Sequence, residues 1–88
     1  MQKSPGDGVA PQYPIESVDN ALRLLLLLGE RTEEVRLTDV SAELGVASST
    51  AHRILAAMTG SRIVERHEAG SYRLGIRLLE LGNLVKSR

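Results

Sequence analysis

The sequence predicts a mainly α-helical domain with a small β-hairpin wing, arranged as a winged helix-turn-helix. Two stretches with helical spacing of apolar residues meet at a short turn, 45–47, that begins with glycine. Two short β-type stretches follow, and the loop between them contains Gly70. The apolar residues include no Phe and no Trp, and such an aliphatic composition suits packed helices.

The chain divides into three segments. Residues 1–14 contain all three prolines and few apolar residues, which predicts a disordered leader. Residues 15–75 form the predicted winged helix-turn-helix domain. Residues 76–88 form a predicted linker helix at the end of the chain.

The first helix is apolar on nearly every side. We expect it to follow Ser17 as its N-cap and to end at Gly29. Residues at helical spacing predict the face toward the core: Val18, Ala21, Leu22 and Leu25. Leu24 and Leu27 would then point away from the core, and a helix of this kind is either fully buried or shared with a partner. We interpret Leu24 and Leu27 as a dimer interface; the alternative is coverage by another element of the same chain.

Two further helices form the predicted helix-turn-helix. Thr38 is expected to cap a short helix over Asp39–Leu44, and Gly45 supplies the left-handed stop. The next helix is expected over Ser48–Met58. Its apolar stripe consists of Ala51, Ile54, Leu55 and Met58.

The hairpin and the final helix complete the domain. Strands are predicted over 63–66 and 71–74, joined by the loop 67–70. A Leu-rich helix is predicted from Ile76. Little chain remains to cover its apolar stripe, so a second dimer contact is predicted at Leu78, Leu81 and Val85.

Several classes of chemistry are excluded. The chain has no cysteine, and its two histidines are too few and too far apart for a metal site. It shows neither a nucleophile with a base and an orienting group nor a glycine-rich phosphate loop. The N-terminus lacks the apolar core of a signal peptide. We therefore predict a soluble, cytoplasmic protein that is not an enzyme, binds no cofactor or metal, and does not enter a membrane.

The net charge of zero argues against a nucleic-acid binder, but the charges are unevenly placed. Residues 14–44 contain three arginines against seven acidic residues, whereas residues 45–77 contain five arginines against two glutamates. The basic half contains the helix predicted over Ser48–Met58, which would be the DNA-recognition helix of a helix-turn-helix, and the predicted hairpin. This asymmetry weakly favours nucleic acid as the partner.

The outer face of the third helix carries the predicted contacts to double-stranded DNA. Its hydroxyl residues lie at the helix N-terminus, where backbone N–H groups favour phosphate. Arg53 fits either a guanine edge or a phosphate, and His52 is a donor for both. The predicted DNA-binding set is Thr38, Ser48, Ser49, Thr50, His52, Arg53, Arg66 and Arg73.

Two structural alternatives to these contacts stay open. Ser49 and Thr50 would also serve as capping groups of the helix without any DNA contact. Arg66 and Arg73 would also pair across the strands with the two glutamates of the hairpin.

Two motifs resemble the IclR family of bacterial and archaeal regulators. One is the run 37–55, which includes STAHRIL over 49–55, and the other is YRLGIRLLELG over 72–82. The resemblance covers about residues 13–86. It implies a winged helix-turn-helix that binds palindromic operators as a homodimer, with pairing through the first helix and the linker helix. It also implies that a small-molecule effector acts only through a C-terminal domain, which these 88 residues do not include.

One position departs from the family pattern. Members usually have glycine just before the first wing strand, where this chain has Arg62. Either Gly60 takes over the helix stop or Arg62 adopts a left-handed conformation. The alternative function, a winged helix that serves as an interaction or dimerisation module without DNA binding, predicts apolar residues on the outer face of the recognition helix.

Overall fold

The computed structural model describes residues 15–87, which form four helices and three strands. In chain order these are α1 (Glu16–Glu30), β1 (Val35–Arg36), α2 (Leu37–Leu44), α3 (Ser48–Gly60), β2 (Val64–Arg66), β3 (Ser71–Leu74) and α4 (Ile76–Lys86). The predicted leader, 1–14, and the last residue lie outside the described residues. The mainly helical fold with a hairpin wing is confirmed.

The three strands form one antiparallel sheet in the order β1-β3-β2. β2 and β3 are the predicted hairpin, with Val64 opposite Leu74 and Arg66 opposite Tyr72. The extended piece before α2 is a third strand, since Val35 pairs with Tyr72. The wing is therefore joined by backbone pairing to the residue pair that leads into α2.

One aliphatic core holds the helices and the sheet together. Its most buried members come from five different elements: Leu24, Val35, Val40, Leu55 and Val64. Each such side chain contributes about 1.5–3 kcal/mol by leaving water, so a small domain depends on all of them.

The predicted faces of α1 are wrong in part: Ala21 and Leu25 pack against the core as predicted, but the other assignments fail. Leu24 is fully buried and Leu27 is 8% exposed, so both belong to the core of their own chain. Val18 and Leu22, which were expected in the core, are more than half exposed, as is Leu26. Because residues 24–28 are all leucine, the pattern selects no single face. The face is selected by packing against α2, α3 and β3.

Three predicted helix signals also differ from the structure. The residue at the N-cap of α1 is Ile15 rather than Ser17, and the helix continues through Gly29 to Glu30. α2 begins at Leu37, so Thr38 lies inside its first turn. The amide of Arg36 donates to Asp39 Oδ2 at 2.9 Å, and this bond starts α2 without a hydroxyl cap.

The end of α3 and the start of α4 are in contact through the backbones of Arg62 and Gly75. Arg62 is left-handed, with φ of 66°, while Gly60 is the last residue of α3. A Cβ at Gly75 would overlap the carbonyl oxygen of Arg62. Gly75 N–H donates to the carbonyl of Ile63 at 2.7 Å, and Arg77 N–H donates to that of Arg62 at 3.2 Å. These contacts tie the end of the wing and the first turn of α4 to α3.

Helix α4 begins at Ile76 as predicted, and none of its residues is buried. Leu81 and Val85 are exposed, and Leu78 is half-buried. None of the helices within residues 15–87 has the length and apolar character needed to cross a membrane.

Candidate nucleic-acid interface

The turn between α2 and α3 is closed by backbone and side-chain hydrogen bonds. Gly45 adopts the predicted left-handed conformation, with φ of 69°. The amides of Gly45 and Val46 both donate to the carbonyl of Ser41, at 3.0 and 3.1 Å. Ser41 Oγ in turn donates to the carbonyl of Val46 at 2.6 Å. This closed turn fixes the angle at which α3 leaves α2.

Helix α3 buries one face and exposes the opposite one. Ala51, Leu55 and Met58 are buried against the core, while Ile54 is half-buried. With 3.6 residues per turn, the side directly away from this face is occupied by Ser49. Arg53 and Ala56 lie on the same outward side, and all three residues are exposed. The free side of α3 therefore carries the polar side chains of Ser49 and Arg53, followed by Ala56 one turn later.

The hydroxyl groups of Ser48, Ser49 and Thr50, at the start of α3, do not cap the helix. The residue at the N-cap is Ala47, and no side chain makes a capping hydrogen bond there. Ser48 and Ser49 are exposed, and Thr50 is half-buried. The first amides of a helix have no partners within the helix, so this end offers both N–H and O–H donors. The capping alternative for Ser49 and Thr50 is therefore wrong.

Arg53 lines a groove and has no ion-pair partner among residues 15–87. It lines, with Thr50, a groove of about 370 Å³ between α3 and the start of α1, where Glu16 and Ser17 form the other wall. Within residues 15–87 Arg53 makes no ion pair and no side-chain hydrogen bond. Its guanidinium is therefore available to a ligand outside α3.

Of the two predicted arginines of the wing, Arg73 is hydrogen-bonded to His67, whereas Arg66 has no ion pair within the described residues. Arg73 Nη2 lies 3.0 Å from His67 Nδ1, so the imidazole accepts from Arg73 through this atom and carries its proton on Nε2. His67 Nε2 lies 3.8 Å from Glu65 Oε1. Arg66 is exposed and has no ion pair among residues 15–87. The alternative in which these arginines pair with the hairpin glutamates is therefore wrong for both.

The remaining predicted residues fall on two separate surfaces. Arg66 and His67 line a shallow depression together with Arg62, at the junction of α3 and the wing. Thr38 is exposed in the first turn of α2, and His52 is exposed on α3. The structure thus brings the α3 residues onto one face and the wing residues onto the neighbouring hairpin. Their contacts to DNA stay predictions.

Two residues that organise this surface were missed in the sequence. Ser41 locks the turn, and the guanidinium of Arg36 reaches the wing loop, where Nη1 donates to the carbonyl of Ala69. Ser41 lies four residues before the glycine that ends α2, which is a spacing that points to turn closure. The bond of Arg36 spans 33 residues, so no local pattern indicates it.

Comparison with known proteins agrees with this geometry. The model of the IclR helix-turn-helix domain matches residues 17–68. The HTH-type transcriptional regulator XynR of Escherichia coli K12 is 38% identical over 72 residues, which are 81% of this chain and 29% of that protein. The chain therefore spans less than a third of the length of this relative.

Solved structures show the same fold. The IclR transcriptional regulator from Alicyclobacillus acidocaldarius aligns with a TM-score of 0.77 and 32% identity, over 81% of this chain and 29% of that one. Cyprinid Herpesvirus3 ORF112-Zalpha, solved in its binding mode to Z-DNA, aligns with a TM-score of 0.60 and 26% identity. That alignment covers 69% of this chain and 98% of the viral domain. This chain belongs to the IclR helix-turn-helix family and has the DNA-binding fold of its transcriptional regulators.

Proposed function

We propose that the chain binds duplex DNA with α3 in the major groove and the wing against the neighbouring backbone. The observation that carries this proposal is the free side of α3, where Ser49 and Arg53 are exposed and Arg53 has no ion pair within the described residues. A major groove about 12 Å wide admits one helix, whose outward side chains then reach base edges. A guanidinium is suited to both acceptors of guanine at once.

The wing supplies contacts of a different kind. Arg66 and Arg73 stand on adjacent strands, on an element that follows α3 directly. Guanidinium groups on a hairpin beside the groove meet phosphates, which fix register without reading sequence. Sequence preference is therefore assigned to α3 and orientation to the wing.

Binding to selected DNA tests the proposal. Duplexes enriched from a random library with the wild-type chain are titrated beside scrambled duplexes, by fluorescence anisotropy at two salt concentrations. If Arg53 reads a base, Arg53→Ala weakens binding to the selected DNA by about 1–3 kcal/mol and leaves scrambled DNA nearly unaffected. Equal weakening on both DNAs assigns Arg53 to a phosphate.

A matched control removes an arginine outside the interface. Arg31 pairs with Glu43 at 3.3 Å in the acidic half, so Arg31→Ala is expected to leave the DNA affinity within about twofold. Failure of the library to yield any enriched sequence, together with no binding at low salt, would refute the proposed function.

We also propose that the protein acts as a homodimer on a palindromic operator. In place of Leu24 and Leu27, the exposed stripe of α1 supplies the first contact. Its members share one side of the helix: Ile15, Val18, Leu22 and Leu26, at 52–67% exposure. The predicted residues of α4, Leu78, Leu81 and Val85, share one side of that helix and supply a second contact. Two such apolar stripes on one small domain are more than a monomer normally leaves in water.

Sedimentation equilibrium tests the dimer. Leu22→Glu places a charge on the α1 stripe and is expected to weaken self-association at least tenfold, while circular dichroism shows the fold unchanged. Glu30→Gln, at the exposed end of the same helix, is the control and should leave self-association unaltered. A wild-type chain that stays monomeric at millimolar concentration would contradict an interface formed by these two stripes.

Control by a small molecule is a further part of the proposal. The grooves found within residues 15–87 are open to solvent and not enclosed, so an effector is expected to bind outside this domain. Its signal would reach α3 through α4, because Gly75 and Arg77 at the start of α4 are hydrogen-bonded to the exit of α3. The outer face of α3 is polar, so the structure gives no support to an interaction module without DNA binding.

A further inference from the structure

The tip of the wing is tied to the helix-turn-helix by Arg36. Its guanidinium leaves the sheet edge at β1, and Nη1 donates to the carbonyl of Ala69 in the wing loop, 67–70. Within residues 15–87, no other side chain from outside the hairpin forms a hydrogen bond to it. The remaining side-chain bond of the wing, from Arg73 to His67, lies within the hairpin and restrains nothing outside it.

The backbone of Arg36 is itself fixed on both sides. It pairs with Ser71 in the sheet, and its amide donates to the carboxylate of Asp39 at the start of α2. Nη2 of the same side chain lies 3.5 Å from Glu34 Oε1, which orients the guanidinium toward the loop. One residue thus belongs to the sheet, to the start of the first helix of the helix-turn-helix and, through its side chain, to the wing tip.

The loop is shaped to accept this guanidinium. Gly70 is left-handed, with φ of 84°, and its amide donates to the carbonyl of His67 at 2.8 Å. This turn directs the Ala69 carbonyl outward from the hairpin. A Cβ at Gly70 would stand 3.4 Å from Arg36 Nη1, which places this glycine directly beside the guanidinium.

We propose that Arg36 is a positioning residue that sets the wing at a fixed offset from α3, so that Arg66 and Arg73 meet phosphates without first being ordered. This inference rests on the proposed DNA binding. Without the guanidinium bond, the loop is held by its own turn and by the strand pairing at its ends. The conformational freedom that remains at the tip would be lost on binding, and that loss weakens affinity. A charge-assisted hydrogen bond of a guanidinium to a carbonyl is strong enough to remove much of this loss beforehand.

The first experiment needs no DNA. Heteronuclear ¹⁵N relaxation of the wild-type 88-residue chain is compared with that of Arg36→Gln, for the amides of residues 68–71. The substitution is expected to lower the order of these amides while those of α3 stay rigid. The control is Arg23→Gln, which removes a guanidinium bond of 3.3 Å to the carbonyl of Glu43 and leaves the wing alone. Unchanged order in Arg36→Gln would overturn the proposal.

The second experiment separates positioning from direct contact by a double-mutant cycle on selected DNA. Arg36→Gln is expected to weaken binding about 5- to 10-fold in the wild-type chain, and less than about 2-fold when Arg66→Ala and Arg73→Ala are already present. Arg36→Lys, which keeps one donor, should fall between the wild type and Arg36→Gln.

The outcomes of the two experiments are distinguishable. Equal losses from Arg36→Gln in both backgrounds would show that Arg36 itself contacts a phosphate, and that result would overturn the positioning role. If the wild-type chain binds no DNA, the proposed function fails, and the relaxation data alone then decide whether Arg36 orders the wing.

Discussion

Gly75→Ala is expected to be the most damaging single-methyl substitution at any glycine of the described chain. The added Cβ would overlap the carbonyl oxygen of Arg62 and lie 2.9 Å from the carbonyl carbon of Ile63. These are backbone atoms, so no side-chain rotation relieves the overlap. The end of β3 would have to move away from the exit of α3.

The magnitude follows from what that movement breaks. Forcing a methyl group into a closely packed place costs about 1–3 kcal/mol. The movement also strains the bonds from Gly75 to Ile63 and from Arg77 to Arg62, each of which contributes about 0.5–1.5 kcal/mol. We expect a loss of about 2–6 kcal/mol in the free energy of unfolding. For a domain of this size that lowers Tm by roughly 10–50 °C.

Urea unfolding followed by circular dichroism measures this loss, with Gly60→Ala as the matched control. Apart from its chain neighbours and the backbone of its own helix, no atom of the described residues lies within 4 Å of a Cβ at Gly60, the last residue of α3. That variant should match or slightly exceed the stability of the wild type, because alanine favours a helix. If the free energy of unfolding of Gly75→Ala lies within about 0.5 kcal/mol of the wild-type value, the close approach of Gly75 to the Arg62 carbonyl does not exclude a side chain, and the prediction is wrong.

Four further substitutions test other parts of the fold by the same unfolding assay. Arg62→Gly should raise the free energy of unfolding by about 0.5–1 kcal/mol, because it relieves a left-handed arginine; a loss of stability would contradict this. Leu24→Ala should cost about 3–5 kcal/mol and Leu22→Ala less than about 0.5 kcal/mol, and the reverse order would restore the faces that the sequence predicted for α1. Ser41→Ala should cost about 1 kcal/mol through loss of the 2.6 Å bond to Val46, and no change would show that backbone bonds alone close the turn.

Features with local signals were predicted correctly. The left-handed stop at Gly45, the start of α3 at Ser48 and the start of α4 at Ile76 all follow from residues within one or two turns of the feature. The hairpin strands were placed within one residue, since a glycine-containing loop between two β-type stretches is also a local pattern.

Features set by tertiary packing were not predicted. Leu24 and Leu22 are chemically identical and two positions apart, and only the neighbours of α1 decide which of them is buried. Ser17 and Thr38 are residue types that cap helices well, but both N-caps lie two residues earlier in the chain, at Ile15 and Arg36. At the start of α2 the carboxylate of Asp39 accepts from the Arg36 amide in place of a hydroxyl cap. The bond from Arg36 to Ala69 has no local signal at all, since it depends on how the hairpin folds back to β1.

The neutral charge of the chain is compatible with DNA binding because its arginines are used differently in the two halves. Before residue 45 every arginine pairs with or donates to an oxygen atom of the protein. After it, within the described residues, four arginines have no ion pair with a carboxylate: Arg53, Arg62, Arg66 and Arg73. Of these, Arg73 donates to the imidazole of His67. The electrostatic part of DNA affinity depends on how many phosphates are neutralised and not on net charge.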